Sequence, residues 1–133
     1  MYKRQGGIPV VKAIRENLKF NEITKVYGIL NGTCNYILTK METEGKDFNS
    51  VLKDAQNLGF AELDPSFDIK GIDAAHKITL LSSLAFNVPV NFSSTYIEGI
   101  QNIEIEIEMP STFTIYVYKY FISPYYSILT PFE

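Results

Sequence analysis

Residues 61–77 read AELDPSFDIKGIDAAHK and place five ionisable side chains close together: Glu62, Asp64, Asp68, Asp73 and Lys77. Pro65 and Gly71 punctuate the stretch, so its first half reads as a loop. From Lys70–Asp73 onward, Ala74, Ala75, Ile78, Leu80, Leu81 and Leu84 set a helical apolar pattern that runs to Phe86. Asp73 and Lys77 stand four apart on that helix and therefore share a face. As an exposed ion pair they would contribute only about 0.3–0.5 kcal/mol. Their apolar neighbours instead predict a largely buried helix, which would set the pair in a cleft. A lysine held there by a carboxylate can give or take a proton beside a reacting oxygen. Glu62, Asp64 and Asp68 would supply acceptors for an amine or a hydroxyl. They would equally suit a divalent cation, although a lysine inside the cluster opposes that. An exposed turn and the wall of an active site both fit this stretch taken alone.

Upstream, Pro9 suits the first turn of a helix, and Val10, Val11, Ile14 and Leu18 follow at helical spacing until fraying is expected near Phe20–Asn21. Ile23 to Leu30 carries the β-branched and aromatic residues of a strand, which Asn31–Gly32 would end in a turn. Thr33 is a candidate cap for a helix through Tyr36, Ile37, Leu38 and Met41, stopping at Gly45. A strand that opens through Gly-Thr into a helix can aim backbone N–H groups at a polar ligand, although ordinary capping explains the same residues. Ser50 opens a further amphipathic helix with Val51, Leu52, Ala55 and Leu58 on one side, and Gly59 ends it. Val88–Val90 and Thr95–Ile100 read as short extended pieces. Helices outweigh strands in this mixture, so an α/β (α+β) layer architecture is expected.

The C-terminal region differs. Ile103 to Met109 alternates strictly, as a strand with one acidic face would. Beyond Pro110 come eight of the eighteen Tyr and Phe residues, from Phe113 to Phe132. With so few charges beside them, these rings must pack or expose an aggregation hazard. The shift in composition puts a boundary near Glu104–Pro110.

The 133 residues suffice for one domain with a core. Hydrophobic residues are 46% and charged residues 20%, the balance of a globular chain. A net charge of -3 offers no basic stripe for nucleic acid. The single cysteine, Cys34, cannot form an internal disulfide and reads as a small core residue, with no second cysteine or histidine to activate it. The only histidine, His76, reads as a partly buried surface residue. No apolar run reaches the roughly 18 residues of a membrane span, and MYKRQGGIPVV lacks the apolar core of a secretory signal. A cytoplasmic protein, binding neither membrane nor nucleic acid, is the expectation.

The run AQNLGFAELDPSFDIKGIDAAHK, from Ala55 to Lys77, resembles the signature segment of homoserine dehydrogenase. Its order of Ala, Gly, Asp-Pro, Asp, Gly, Asp and Lys is long and irregular. GGIPVVKAIRE (from Gly6) resembles the family's entry into its catalytic domain, and GILNGTCNYIL (from Gly28) resembles its substrate-side strand, turn and helix. FNVPVNFSSTYIEGI (from Phe86) resembles the family's segment after the signature helix. The resemblance therefore covers residues 6–104 as the catalytic domain, a mixed sheet covered by helices. Residues 1–5 form an atypical start, and residues 105–133 an aromatic-rich tail that matches nothing in the pattern.

The family interconverts L-homoserine and L-aspartate 4-semialdehyde with NADP or NAD, on the route to threonine, methionine and isoleucine. The resemblance implies that Lys77 is the catalytic proton donor and that Asp73 orients it. It implies that Glu62 holds the substrate amino group, with Asp68 and the Gly32–Thr33 turn completing the pocket. Gly59 would lie near the nicotinamide end of the cofactor. A sodium ion would rest on backbone carbonyls of Arg4, Gly6 and Ile8, although Met1 stands where the family has a sodium-binding glutamate. A homodimer built through the domain's sheet is also implied.

A nicotinamide enzyme usually holds its cofactor with a strand–GxGxxG–helix unit, which this sequence does not contain. The family also takes a second active-site lysine from that nucleotide domain. The expectation is thus a piece of the enzyme with its substrate half-site, inactive or nearly so without a cofactor domain. The alternative is a non-catalytic dimerisation fragment or a relic of the enzyme. A metal-binding module on Asp64, Asp68 and Asp73 is the remaining alternative.

Overall fold

The computed structural model describes residues 8–103 of the chain. Its helices are α1 (Val10–Lys12), α2 (Gly32–Glu44), α3 (Phe48–Asn57), α4 (Ser66–Ile69) and α5 (Ile72–Phe86). α1 continues directly as a π-helical stretch, Ala13–Asn17, and a 3-10 turn, Phe92–Ser94, comes after α5. The predicted boundary near Glu104–Pro110, the alternating segment after Ile103 and the aromatic tail lie outside the described residues.

Local chemistry fixes the helix ends. The N-cap of α2 is Asn31, not Thr33: its backbone is extended (φ -132°, ψ 119°) and its side chain accepts from the Cys34 N–H. Gly45 ends α2 with φ 62°, a left-handed conformation that costs glycine little. α3 is likewise capped one turn earlier than the sequence pattern implies. Asp47 accepts from the Ser50 N–H, so Ser50 lies inside the helix rather than at its start. Near the same corner, Lys40 reaches Glu44, and Lys46 reaches both Glu44 (2.8 Å) and Asp54 (3.2 Å), which ties the end of α2 to α3.

Two apolar clusters form the interior. In the first, Ile37 and Met41 of α2 meet Val51 and Ala55 of α3, with Ala61, Ile69 and Ile100 closing the rim. The α3 face predicted from the sequence is buried at Val51 and Ala55, but Leu58 is exposed. In the second, Ala74 and Ile78 of α5 pack against Val26 and Leu30. The chain returns past α4 at its end, where the Ile100 N–H donates to the Ile69 carbonyl at 2.8 Å. Gly99 makes that approach possible: a Cβ there would stand 2.5 Å from the Ile69 carbonyl oxygen.

The expected strand Ile23–Leu30 forms no ladder, and there is no strand among the described residues, only a lone bridge at Val26. Among the described residues the expected α/β (α+β) mixed sheet is thus represented by its helices alone. Burial nevertheless alternates along the end of this segment. Val26 and Leu30 turn toward α5, while Tyr27 and Ile29 are exposed. β-branched and aromatic composition favours an extended backbone, but a ladder also needs a neighbouring strand in register.

Candidate active site

The charged stretch of residues 61–77 is only partly a loop. Asp64 accepts from the Ser66 N–H, and this turn launches α4, which carries Asp68. Gly71, in the left-handed region at φ 79°, then redirects the chain into α5. Asp73 and Lys77 occupy the first turns of α5 as an i,i+4 pair, with Nζ 2.5 Å from Asp73 Oδ2. Lys77 Nζ also donates to the Leu30 carbonyl at 3.0 Å. The lysine is therefore held between a carboxylate and the end of the extended segment, and two of its three N–H groups are used. Its side chain is about half exposed, at 49%, so the remaining donor can meet a ligand from solvent.

The polar cluster is organised by Asn31. Its Nδ2 donates to Asp68 Oδ1 at 2.6 Å and to Asp73 Oδ2 at 2.9 Å, while its Oδ1 caps α2. The residue is buried at 8% exposure, so these bonds are sheltered from water. One amide thus joins the first turn of α2 to carboxylates on α4 and α5, at the seam between the two apolar clusters. In the sequence Asn31 stands out only as a turn signal. Its partners lie 37 and 42 residues away, and the single available hint is that an Asn before Gly-Thr can cap a helix.

Cys34 lies in the same corner, its thiol donating to the Asp68 carbonyl at 3.3 Å. Burial, then the Asp68 and Asp73 charges, push the thiol up to about 12 from an ordinary 9.0, against a smaller lowering by Lys77. A thiol so placed is a poor nucleophile near neutral pH, in keeping with its sequence context. A cavity of about 30 Å³ lies beside it, lined in part by Asn31, Gly71 and Glu98.

The other expected site residues are placed less closely. Gly32 is exposed at the start of α2 with open space around it, and Thr33 donates through Oγ1 to the Phe60 carbonyl at 3.1 Å. Glu62 is exposed, and its backbone carbonyl accepts from Gln56 Nε2. No hydrogen bond joins its carboxylate to the Asn31 cluster among the described residues. Gly59 lies just beyond α3 with φ 75° and nothing within 4 Å of a built Cβ, so a ligand can approach its backbone closely. Of the three residues expected at a sodium site, only Ile8 is described, and its carbonyl accepts from the Val10 N–H. No group of three His, Cys, Asp or Glu side chains is arranged to hold a metal ion among the described residues. His76 is exposed and stacks between Phe67 and Phe92, with ring centroids 5.8 and 4.1 Å away. No helix among the described residues is long and apolar enough to cross a membrane.

Asn31 thus joins two carboxylates to a helix N-terminus, and one of those carboxylates holds Lys77. The family model for homoserine dehydrogenase matches residues 9–121. The chain belongs to the homoserine dehydrogenase family. A homoserine dehydrogenase of Neisseria gonorrhoeae is 56% identical over 99 residues, covering 74% of this chain and 23% of that protein. One from Pseudomonas aeruginosa is 55% identical over 98 residues, with the same coverage. Among solved structures, a homoserine dehydrogenase from Thiobacillus denitrificans superposes with a TM-score of 0.71 at 56% identity. The match covers 72% of this chain and 22% of that one. A hyperthermophilic archaeal homoserine dehydrogenase mutant in complex with NADPH superposes with a TM-score of 0.64 at 33% identity, covering 72% of this chain and 29% of that one. The chain thus spans roughly a quarter of the length of the homoserine dehydrogenases it matches.

Proposed function

We propose that this chain carries the substrate half of a homoserine dehydrogenase active site, in which L-homoserine and L-aspartate 4-semialdehyde are interconverted. The observation that supports this most directly is Lys77, held by Asp73 and the Leu30 carbonyl with one N–H to spare. In the reducing direction that N–H gives its proton to the aldehyde oxygen, and in the oxidising direction the nitrogen takes the hydroxyl proton back. Asp73 orients the lysine, since one of its oxygens accepts directly from Nζ. Asp68 and the Gly32–Thr33 turn line the pocket beside it, and Glu62, exposed on the approach from α3, receives the substrate amino group. The nicotinamide of NADP or NAD supplies or accepts the hydride, and the open backbone at Gly59 fits a ring brought close to that turn. A sodium ion on the Arg4, Gly6 and Ile8 carbonyls belongs to this reading as a structural ion, and no proton or hydride passes through it.

The same reading has the catalytic domain span residues 6–104, as a mixed sheet covered by helices. A homodimer formed through that sheet is consistent with the segment before Asn31, whose Tyr27 and Ile29 are exposed while Val26 and Leu30 pack on α5. A second copy packed on that outward face would bury Tyr27 and Ile29. The expected compartment is the cytoplasm.

The test is NADP- or NAD-linked homoserine oxidation by the purified chain, alone and mixed with a separately expressed nucleotide-binding domain of a homoserine dehydrogenase. Activity in the mixture is the expected result. No activity in either sample, from a chain shown to be folded, would overturn the catalytic assignment.

A further inference from the structure

We infer that Asn31 is a positioning residue of this site: its amide partitions the Asp68 and Asp73 carboxylates, tying one oxygen of each to the scaffold and leaving the other for the substrate. The inference rests on the dehydrogenase reading only for the identity of that substrate. The bridge itself stands on geometry.

Both Nδ2 hydrogens are committed, one to Asp68 Oδ1 and one to Asp73 Oδ2. Neither Asn31 nor Lys77 uses the other two oxygens, Asp68 Oδ2 and Asp73 Oδ1. Two carboxylates brought to one point repel each other unless a donor stands between them. The buried amide is such a donor, and it is neutral at every pH, so it neither titrates nor competes with Lys77 for charge. Asp73 Oδ2 accepts from Asn31 and from Lys77 together, which leaves that carboxylate little freedom to rotate. The lysine is placed in turn by a carboxylate that Asn31 has already fixed. Finally, Asn31 Oδ1 holds the Cys34 N–H, so the group that spaces the two carboxylates also fixes the first turn of α2, where Gly32 and Thr33 lie.

Capping and bridging can be separated by substitution. Ser and Asp are good N-caps, but neither can donate two hydrogen bonds to two carboxylates. In Asn31→Ser and Asn31→Asp the end of α2 is kept and the bridge is lost. The first readout is the side-chain amide signal of Asn31 in a ¹H–¹⁵N spectrum of the full chain, identified by its disappearance in Asn31→Ser. Both amide protons should lie downfield and exchange slowly. Asp68→Ala should move one of them and Asp73→Ala the other. An amide pair at ordinary positions, unmoved by either substitution while other resonances stay in place, would overturn the inference without any activity measurement. The second readout is homoserine oxidation in the mixture with a nucleotide-binding domain. There Asn31→Ser and Asn31→Asp should each lower kcat/KM about tenfold to a hundredfold, the effect of losing hydrogen bonds to charged groups. Variants that lack the bridge by NMR but keep wild-type kcat/KM would overturn the positioning role. A bridge seen by NMR in a wild-type mixture that does not turn over would instead count against the dehydrogenase reading and leave the bridge standing.

Discussion

The Cys34 thiol offers a reporter of the charges in this site. Burial and the neighbouring Asp68 and Asp73 carboxylates push it up to about 12, whereas an unfolded cysteine ionises near 9.0. At pH 8 the native thiolate population should therefore be about a thousandfold below that of an unfolded chain. The rarer thiolate is the more nucleophilic, which recovers part of the difference, so alkylation should be slowed about thirtyfold to sixtyfold. Partial burial will slow it further. The assay is iodoacetamide labelling of the folded chain at pH 8, with a short peptide spanning Thr33–Cys34–Asn35 as the reference thiol. Asp68→Asn should accelerate labelling more than Asp73→Asn, because Asp68 makes the larger of the two electrostatic contributions. Lys77→Met should slow it, because the lysine is the one neighbour that favours the thiolate. A native rate within a few-fold of the peptide, or no acceleration in Asp68→Asn, would refute the arrangement of charges. Stability is linked to the same shift. The unfolded thiol loses its proton near pH 9.0 and the folded thiol holds it to about pH 12. The thiol's contribution is therefore complete below pH 9.0 and is lost as pH rises from there toward 12. Wild-type Tm should fall more steeply across that window than the Tm of Cys34→Ala.

Other substitutions test the scaffold and the chemistry separately. Lys77→Met should reduce kcat of reconstituted homoserine oxidation by about a hundredfold or more, the usual loss when a general acid is removed. Unchanged turnover would remove Lys77 as the proton donor. Gly99→Ala would set a Cβ 2.5 Å from the Ile69 carbonyl oxygen and 2.9 Å from Lys70 Cα, both backbone atoms that cannot rotate aside. Urea unfolding should show a loss of about 1–3 kcal/mol. Glu44 accepts hydrogen bonds from Lys40 and Lys46, which hold its carboxyl down to about 2 from an ordinary 4.5. Its favourable contribution is thus present above pH 4.5 and lost as pH falls toward 2. A carboxyl ¹³C titration should show this, with Lys40→Met raising the midpoint more than Lys46→Met.

What is legible in the sequence divides by the range of the interactions involved. α3 and α5 are readable because the apolar spacing of Val51 and Ala55, and of Ala74, Ala75 and Ile78, is a local signal that the buried faces obey. Cap identities are only half readable. Asn31 and Thr33, or Asp47 and Ser50, are all residues that cap well, and the choice between them is made by which backbone turns extended. The four residues of α4 are hidden behind Pro65, where the Asp64 turn gives no periodicity to detect. Residues 26–30 show the limit most clearly. Val26, Tyr27, Ile29 and Leu30 are all apolar, so composition marks a strand without telling inside from outside; pairing is moreover a property of two segments, and a single segment's pattern cannot supply the second. The site divides the same way. Asp73 and Lys77, four apart on one helix, are visible as a pair from spacing alone. The bonds that make the pair part of a site cross 37, 42 and 47 residues, from Asn31 to Asp68 and Asp73 and from Lys77 to Leu30. Residue types can announce a cluster of charges, but only tertiary packing selects the neutral amide that keeps those charges apart. For that reason Asn31, the residue least suggestive of chemistry in the whole constellation, is the one whose replacement should disturb the most partners at once.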